Sequence, residues 1–421
     1  MSRHARPEID RSHWWDRLWR PFWVLPAAIC IGSVGLGVLL PTVDEQVISW
    51  VPYVFQSGAD GARQLLGTIA SAMISVTGLV FSVTMVVLQL ASSQYTPRLL
   101  STFLASRIAQ VTLGVFCGSF LYALTVLRVV RGDLAGAAEF VPQVSVSVAF
   151  GYVVASVGCF LAFIGHITDS IRLSSVVSRI GRRTRAAVEA LWSGEHPRAG
   201  WSPAPGATRT AWTMDDRQGY LTALDSTALV EWGRAHRRVP VLEVGLGHFV
   251  VAGQVIGTIW AEDSGGSAGP DGLAEPAPPT EAIKVEDDRV LGADMGFGLR
   301  QLTDIAQRAL SPGVNDPTTA VQVINELHSI LRLLATRDDL WPTLVDDEGA
   351  ARARWRPQTF RDSAEQSLGE IAHYATDAPA VLTRLAEVIA ELESVCRPQH
   401  APALRGLAER VVSAGERPAQ R

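Results

Sequence analysis

Long uncharged stretches near the start of the chain constrain its fold more than any other feature of the sequence. A helix needs about 20 apolar residues to cross the hydrocarbon core of a bilayer, and each stretch is long enough. Because lipid cannot satisfy irregular backbone, such stretches predict transmembrane helices. The stretches that lack Asp, Glu, Lys and Arg are 21–43, 64–97, 108–127 and 140–168.

We predict a mostly α fold that begins with a transmembrane domain, 22–169, preceded by a cytoplasmic N-terminal tail, 1–21. The tail is too polar for a signal peptide and no cleavage site follows the first span, so we expect the first span to remain in the mature protein. The four predicted spans are 22–40, 66–90, 108–130 and 141–166.

The placement of arginine predicts the orientation of the spans. The tail is rich in arginine, and so is the segment from Arg172 to Arg185 that follows the fourth span. The loop after the first span instead carries Asp44, Glu45 and Asp60. Cytoplasmic loops are enriched in basic residues, so we expect both termini in the cytoplasm and the protein in the inner membrane.

Charge and motif content narrow the possible functions. The chain has 37 basic and 42 acidic residues and a net charge of −5, which argues against a nucleic-acid partner. Its sequence has no phosphate-binding glycine loop, no dinucleotide fingerprint and no His/Cys group with the spacing of metal ligands. We expect no catalytic residue, no metal and no cofactor. The expected partners are the lipid bilayer and further copies of the chain, and the sequence does not identify a ligand or ion.

The second span carries a stripe of small and polar side chains that repeats every seven residues, the period of helices that supercoil around one another. One interpretation is close helix packing, which small and hydroxylated residues favour in lipid. The other is a wetted surface facing a pore, because polar groups in a membrane favour a cavity over lipid. The candidate pore-lining residues are Thr68, Ser71, Ser75, Gly78, Ser82, Gln89 and Ser92.

After the fourth span the composition becomes that of a soluble protein. Apolar residues at helical spacing predict a helical stalk over 170–192. Alternating apolar residues and glycine turns predict a small α+β domain over 211–261. A segment rich in Gly, Pro and Ser, 262–280, predicts a flexible linker, and 281–416 predicts a mostly helical cytoplasmic domain.

One loop of the last domain, within 308–320, is distinctive. Asp316 is a suitable N-cap and Pro317 suits the first position of a helix, while Gly313 is expected to relieve the turn. The segment is either a stiff helix–turn–helix with a solvated ladder of charges, or a contact site for a ligand or another subunit. The candidate contact residues are Arg300, Asp304, Arg308, Gly313, Asn315 and Asp316.

Two segments carry specific sequence signatures, FSVTMVVLQLASSQYTPR at 81–98 and LSPGVNDPTTA at 310–320. They resemble the signatures of a bacterial family of predicted membrane proteins, domain of unknown function 2254. The resemblance extends from about Trp19 to Val395 and includes Arg289 and Asp294. It implies a membrane protein and brings no activity, because the family has no established biochemistry or catalytic residues.

These features leave two functions in competition. The first is an oligomeric pore or channel in which the second span lines the path and the cytoplasmic part regulates it. The alternative is a membrane scaffold or sensor that transports nothing and binds a partner or ligand through its cytoplasmic domains. A membrane enzyme is disfavoured, because the sequence offers no paired carboxylates or His cluster near the spans.

Overall fold

The computed structural model describes residues 22–47, 58–94, 107–131, 140–192, 200–262, 276–289 and 294–416. The chain divides into two compact units that meet in sequence between Ser175 and Val176. We call them the N-terminal unit and the C-terminal unit. The predicted tail, 1–21, lies outside the described residues, and so does most of the predicted linker, 262–280.

The described residues of the N-terminal unit form four long helices, which confirms the predicted number of apolar helices. Each contains a segment long and apolar enough to cross a membrane. The helices extend beyond several of the predicted spans, because residues outside the apolar segments continue the helical hydrogen bonding. The four helices are α1 (Val24–Val47), α2 (Ala59–Gln94), α3 (Arg107–Leu127) and α4 (Gln143–Ile171).

Helix α2 is a single helix of 36 residues. At a rise of 1.5 Å per residue its length is about 54 Å, against a hydrocarbon core of about 30 Å. A helix of this length in a bilayer has to tilt or to project beyond the hydrocarbon. A break within the apolar segment would also have accommodated its length, but α2 is one continuous helix.

Helix α3 packs against α1, α2 and α4 and forms the centre of the N-terminal unit. Glycine permits the closest of these contacts. A Cβ added at Gly114 would lie 3.1 Å from the Pro26 Cα, and one added at Gly118 would lie 2.5 Å from the Ser33 Oγ. The small-residue positions of α3 therefore serve helix packing.

A buried carboxylate joins α1 to the start of α4. The Asp44 residue is 3% exposed. Its carboxylate accepts hydrogen bonds from the Ser145 amide at 3.0 Å, the Ser145 hydroxyl at 3.2 Å and the Val144 amide at 3.4 Å. Pro142, at the N-cap position of α4, supplies no side-chain cap. Asp44 therefore satisfies the free amides of this helix terminus from a neighbouring helix.

The C-terminal unit includes most of helix α5 (Leu173–Leu191). The predicted stalk, 170–192, continued the fourth span, whereas Arg172 is extended, with ψ of 113°, and ends α4. Helix α5 packs within the C-terminal unit, where the Arg185 guanidinium donates to Glu326 at 2.8 Å and the Ser178 hydroxyl donates to the other oxygen of Glu326 at 3.2 Å. The predicted helix is therefore present over Leu173–Leu191 and is a packed element of the unit.

Two sheets form the α+β part of the C-terminal unit. The elements are β1 (Arg209–Thr213), β2 (Gly219–Leu224), α6 (Ser226–His236), β3 (Arg238–Gly245), β4 (Phe249–Val250), β5 (Val255–Ala261), β6 (Ile283–Glu286), β7 (Thr343–Val345) and β8 (Ala351–Arg356). The larger sheet has the strand order β1-β5-β3-β8-β7 and the smaller has the order β4-β2-β6. Strands β3 and β8 pair in parallel, and the other pairs are antiparallel.

The sheets cross the domain boundaries expected from the sequence. Strands β6, β7 and β8 lie beyond residue 281, in the segment predicted as a helical domain, yet they complete sheets that begin within 211–261. Local sequence patterns carry no signal for pairing between strands as distant as β3 and β8. The α+β and helical parts therefore belong to one unit.

The remainder of the C-terminal unit is helical. Its elements are α7 (Met295–Ala309), α8 (Pro317–Ala335), α9 (Phe360–Ala364), α10 (Glu370–Tyr374), α11 (Pro379–Val395) and α12 (Ala401–Gly415). A π-helical turn, Glu365–Gly369, joins α9 to α10. Such turns are rare and are frequent at functional sites.

Candidate functional sites

The polar stripe of α2 lies on the outer surface of the N-terminal unit. The opposite side of α2 is buried against the other helices and includes Leu66, Met73 and Val80. Because the two sets of residues lie on opposite sides of one helix, the stripe does not pack within its own four-helix unit. The side chain of Ser92 is not among those that the structure describes. The other stripe residues are exposed: Thr68, Ser71, Ser75, Gly78, Ser82 and Gln89.

Two hydroxyls of the stripe bond to their own helix. The Thr68 hydroxyl donates to the Gln64 carbonyl at 2.7 Å, and the Ser75 hydroxyl donates to the Ser71 carbonyl at 2.9 Å. These bonds reduce the cost of placing a hydroxyl in an apolar environment. Each oxygen keeps acceptor capacity for water, an ion or a neighbouring helix.

The loop after α7 is organised by Asp316 and Asn315. Asp316 is the N-cap of α8 and accepts from the Thr319 amide at 3.1 Å and from the Thr319 hydroxyl at 2.6 Å. Asn315 takes the left-handed conformation, with φ of 46°. Gly313 is exposed and does not have positive φ, so the expectation that it relieves the turn is wrong.

We expect Asp316→Ala to lower the free energy of unfolding by about 0.5–2 kcal/mol, the cost of losing an N-cap. Asp316→Asn should cost less, because its amide oxygen still accepts. The Thr319 hydroxyl, and then its amide, hold the pKa of Asp316 below its usual range, so its contribution is present at neutral pH and is lost as the pH falls below about 4. Thermal unfolding of the full chain measures this; equal stability of wild type and Asp316→Ala would contradict it.

The predicted charge ladder on α7 is tied to another helix. The Arg300 guanidinium donates to Asp304, to Gln307 at 3.1 Å and to Glu370 at 2.6 Å. The same Glu370 oxygen accepts from the Gln307 amide at 2.7 Å. Arg308 lies further along the helix and is exposed. Arg300 therefore connects α7 to α10 instead of standing in solvent.

A cleft of about 430 Å³ opens where Arg300 and Glu370 lie. One wall consists of the turn after β3 and the residues after β8, which are the carboxyl ends of two parallel strands. The second wall is the start of α7, and the third is α9 with the π-helical turn. The volume is within the range of about 300–1,000 Å³ that is typical of small-molecule sites. Ligands of parallel sheets commonly bind at the carboxyl ends of the strands.

An N-cap and an ion pair organise the second wall of the cleft. Asp294 caps α7 by accepting from the Phe297 amide at 3.0 Å, and it pairs with Arg289, whose Nε lies 2.9 Å from it. Gly247 lies against this pair in the left-handed conformation, with φ of +81°, and an added Cβ would be 2.3 Å from the Arg289 Nη2. Only glycine fits here without displacing the pair.

Two glutamines join the second and third walls of the cleft. The Gln366 amide donates to the Gly296 carbonyl at 2.8 Å, and the Gln358 amide donates to the Gln366 oxygen at 3.0 Å. Gln366 lies in the π-helical turn. The unusual turn thus orients a side chain that closes the polar lining of the cleft.

Comparison with known proteins identifies the family. The family model described as "Predicted membrane protein (DUF2254)" matches residues 19–391. The chain belongs to this family. Two relatives from Mycobacterium tuberculosis and one from Mycobacterium bovis, each named an uncharacterised protein, are 31% identical over 391 residues, which is 90% of this chain and 73% of the relative. No solved structure matches the chain.

Family membership and the four apolar helices together indicate a membrane protein. Within the described ranges, no group of three or more His, Cys, Asp and Glu side chains could hold a metal ion. Sequence reasoning found Arg300 but did not find the cleft beside it. Two residues of the family resemblance, Arg289 and Asp294, could have pointed to the cleft, because both line it.

Proposed function

We propose that this membrane protein is an oligomeric pore in which α2 of each copy lines an aqueous path. The observation that carries the proposal is the position of the polar stripe, on the side of α2 opposite the packed residues. The Thr68 and Ser75 hydroxyls donate to their own helix, but lipid offers no donor to their remaining acceptor sites and no partner to the Gln89 amide. A surface of this kind therefore favours a neighbouring copy or water over lipid.

The stripe cannot enclose a path in a single copy, because it lies on an outward surface. Several copies arranged around an axis would bring their α2 helices together. The stripe recurs every seven residues, a period that suits helices supercoiled around a shared axis. Homo-oligomerisation is therefore part of the proposal.

The selectivity of such a pore would be weak. The segment 64–97 carries no Asp, Glu, Lys or Arg, so hydroxyls and the Gln89 amide would replace only part of the hydration shell of an ion. Any preference would come from charges at the mouths. Arg107 begins α3, and with both termini in the cytoplasm of a bacterial inner-membrane protein it would favour anions at the cytoplasmic mouth.

Purified full-length protein is expected to produce discrete conductance steps in planar bilayers, and Ser82→Phe is expected to remove most of the unit conductance by narrowing the path. Val83→Phe is the matched control. Val83 is exposed but does not belong to the stripe, so a phenylalanine ring there would point away from the path. The absence of steps from an oligomer, or equal effects of the two substitutions, would refute the pore.

A second candidate function is a scaffold or sensor that transports nothing. The cleft of the C-terminal unit favours it, because a cavity whose polar lining is held by hydrogen bonds suits a ligand. A protein of this kind would bind its ligand and give no conductance.

A further inference from the structure

Among the described residues, the lining of the cleft in the C-terminal unit includes one cation and one anion that have no ion-pair partner. Arg356 ends β8 and is exposed, and Asp362 lies in α9. Neither forms an ion pair, with the other or with any other side chain in the described ranges. By contrast, Arg289 is paired with Asp294, and Arg300 is paired with Glu370. The two unpaired groups are therefore available to a ligand.

The charges of the lining balance. The lining includes three arginines and three carboxylates, and His248 adds an imidazole. The His248 Nδ1 donates to the Gly245 carbonyl at 3.1 Å, which leaves Nε2 available in the cleft. A balanced lining attracts neither a polyanion nor a polycation strongly. It suits a ligand that carries one charge of each sign. The charged lining residues are Arg289, Arg300, Arg356, Asp294, Asp362 and Glu370.

Part of the lining is apolar. Leu340 is 6% exposed, and Leu246 and Trp355 are partly buried against the sheet core. Together they offer a surface to an aliphatic or aromatic group, whose burial favours binding. A ligand of the cleft should therefore combine an apolar group with its two charges.

We propose that the cleft binds a free α-amino acid with an apolar side chain. Arg356 holds the carboxylate through its planar fork of donors, which matches a carboxylate in geometry. Asp362 accepts the ammonium group, and the side chain lies against Leu246, Leu340 and Trp355. The Asp362 carboxylate keeps an oxygen for this role, because only its Oδ2 accepts the Thr359 amide of the α9 capping box. The inference does not depend on the pore, since a sensor would use the same site.

The test is isothermal titration calorimetry of the detergent-solubilised full chain with L-leucine and L-phenylalanine. Two analogues separate the charges: L-leucinamide lacks the carboxylate and N-acetyl-L-leucine lacks the ammonium group. We expect leucine to bind at least tenfold more tightly than either analogue.

Two substitutions assign the charges to residues. Arg356→Gln should weaken leucine binding tenfold or more and leave leucinamide binding unchanged. Asp362→Asn should weaken leucine and leave N-acetyl-leucine unchanged, because asparagine can still accept the cap bond. Arg361→Gln is the matched control, since Arg361 is exposed and lies outside the lining.

Three results would overturn the proposal. The first is no binding of either amino acid at about 10 mM, which would detect a Kd near 1 mM. The second is equal binding of leucine and both analogues. The third is an equal loss of leucine affinity in Arg356→Gln and Arg361→Gln. A protein that conducts but binds no amino acid would leave the pore standing and remove the amino-acid site.

Discussion

Asp44→Ala is expected to lower the stability of the N-terminal unit by about 3 kcal/mol, which is enough to remove most of the folded protein from the membrane fraction. The carboxylate accepts three hydrogen bonds from Val144 and Ser145 at the start of α4. A buried donor left without a partner costs about 1–3 kcal/mol, and alanine would leave more than one. Water cannot readily replace the carboxylate, because Asp44 is 3% exposed.

Two variants make this prediction specific. Asp44→Asn keeps an acceptor and should retain most of the stability. Asp60→Ala makes the same substitution on α2, where the fully exposed carboxylate pairs with Arg63 at 3.4 Å, and should have little effect. Unfolding of the detergent-solubilised protein in increasing SDS measures all three. A variant Asp44→Ala as stable as Asp60→Ala would show that the start of α4 needs no partner from α1.

Gly257→Ala is expected to destabilise the C-terminal unit by about 3 kcal/mol, at the upper end of the cost of overpacking. Gly257 lies in β5, between β1 and β3. A Cβ at this position would be 2.1 Å from the Val241 carbonyl oxygen and 3.2 Å from the Leu242 Cα. Both atoms belong to the backbone of the neighbouring strand, so relief requires the strands to separate.

A glycine-to-alanine substitution in a helix is expected to change the free energy of unfolding in the opposite direction. Gly406 lies within α12, and nothing is within 4 Å of its added Cβ. Alanine there should stabilise the helix by about 0.5–1 kcal/mol, because glycine loses more backbone entropy. Thermal unfolding of the two variants in parallel provides the comparison. A stabilised Gly257→Ala protein would mean that β5 and β3 are not as close as described.

The sequence predicted the N-terminal helices well for a physical reason. The absence of charge over whole stretches is a local property, and a bilayer requires that property of every spanning helix. The N-cap role of Asp316 was predictable for a similar reason, since a cap bonds only to residues two or three positions ahead. In both cases the signal and the structure involve the same few residues.

Features that join distant segments were not predictable in this way. Asp44 was counted only as a charge in a loop, although it lies within α1 and caps α4 across the bundle. The pairing of β3 with β8 joins Gly245 to Arg356, and no local pattern encodes it. The cleft depends on that pairing, because its first wall is the carboxyl ends of these strands. The side chains that line the cleft therefore come together only in the assembled fold.

The stripe on α2 is an intermediate case. The repeat itself was visible in the sequence, and both close packing and a wetted surface were consistent with it. The structure places Ser75 and Ser82 on the outside of the N-terminal unit. Packing against the other helices of the N-terminal unit is thereby removed as an explanation. Two explanations remain, packing between copies and a water-filled path. They differ in whether water can reach the stripe in the assembled protein.

The most direct measurement is the reactivity of single cysteines along α2 toward a water-soluble thiol reagent, with Cys30, Cys117, Cys159 and Cys396 replaced. Four further positions test the orientation. Cysteines at 50 and 135 should react only with reagent added outside the cell, and cysteines at 100 and 200 only with reagent added inside. The pore predicts strong labelling at 75, 82 and 89, and none at 73 and 80 on the packed side or at 81 and 83 on the flanks. Inert cysteines at 75, 82 and 89 in the assembled protein would contradict the pore and leave the stripe as a dry contact between copies.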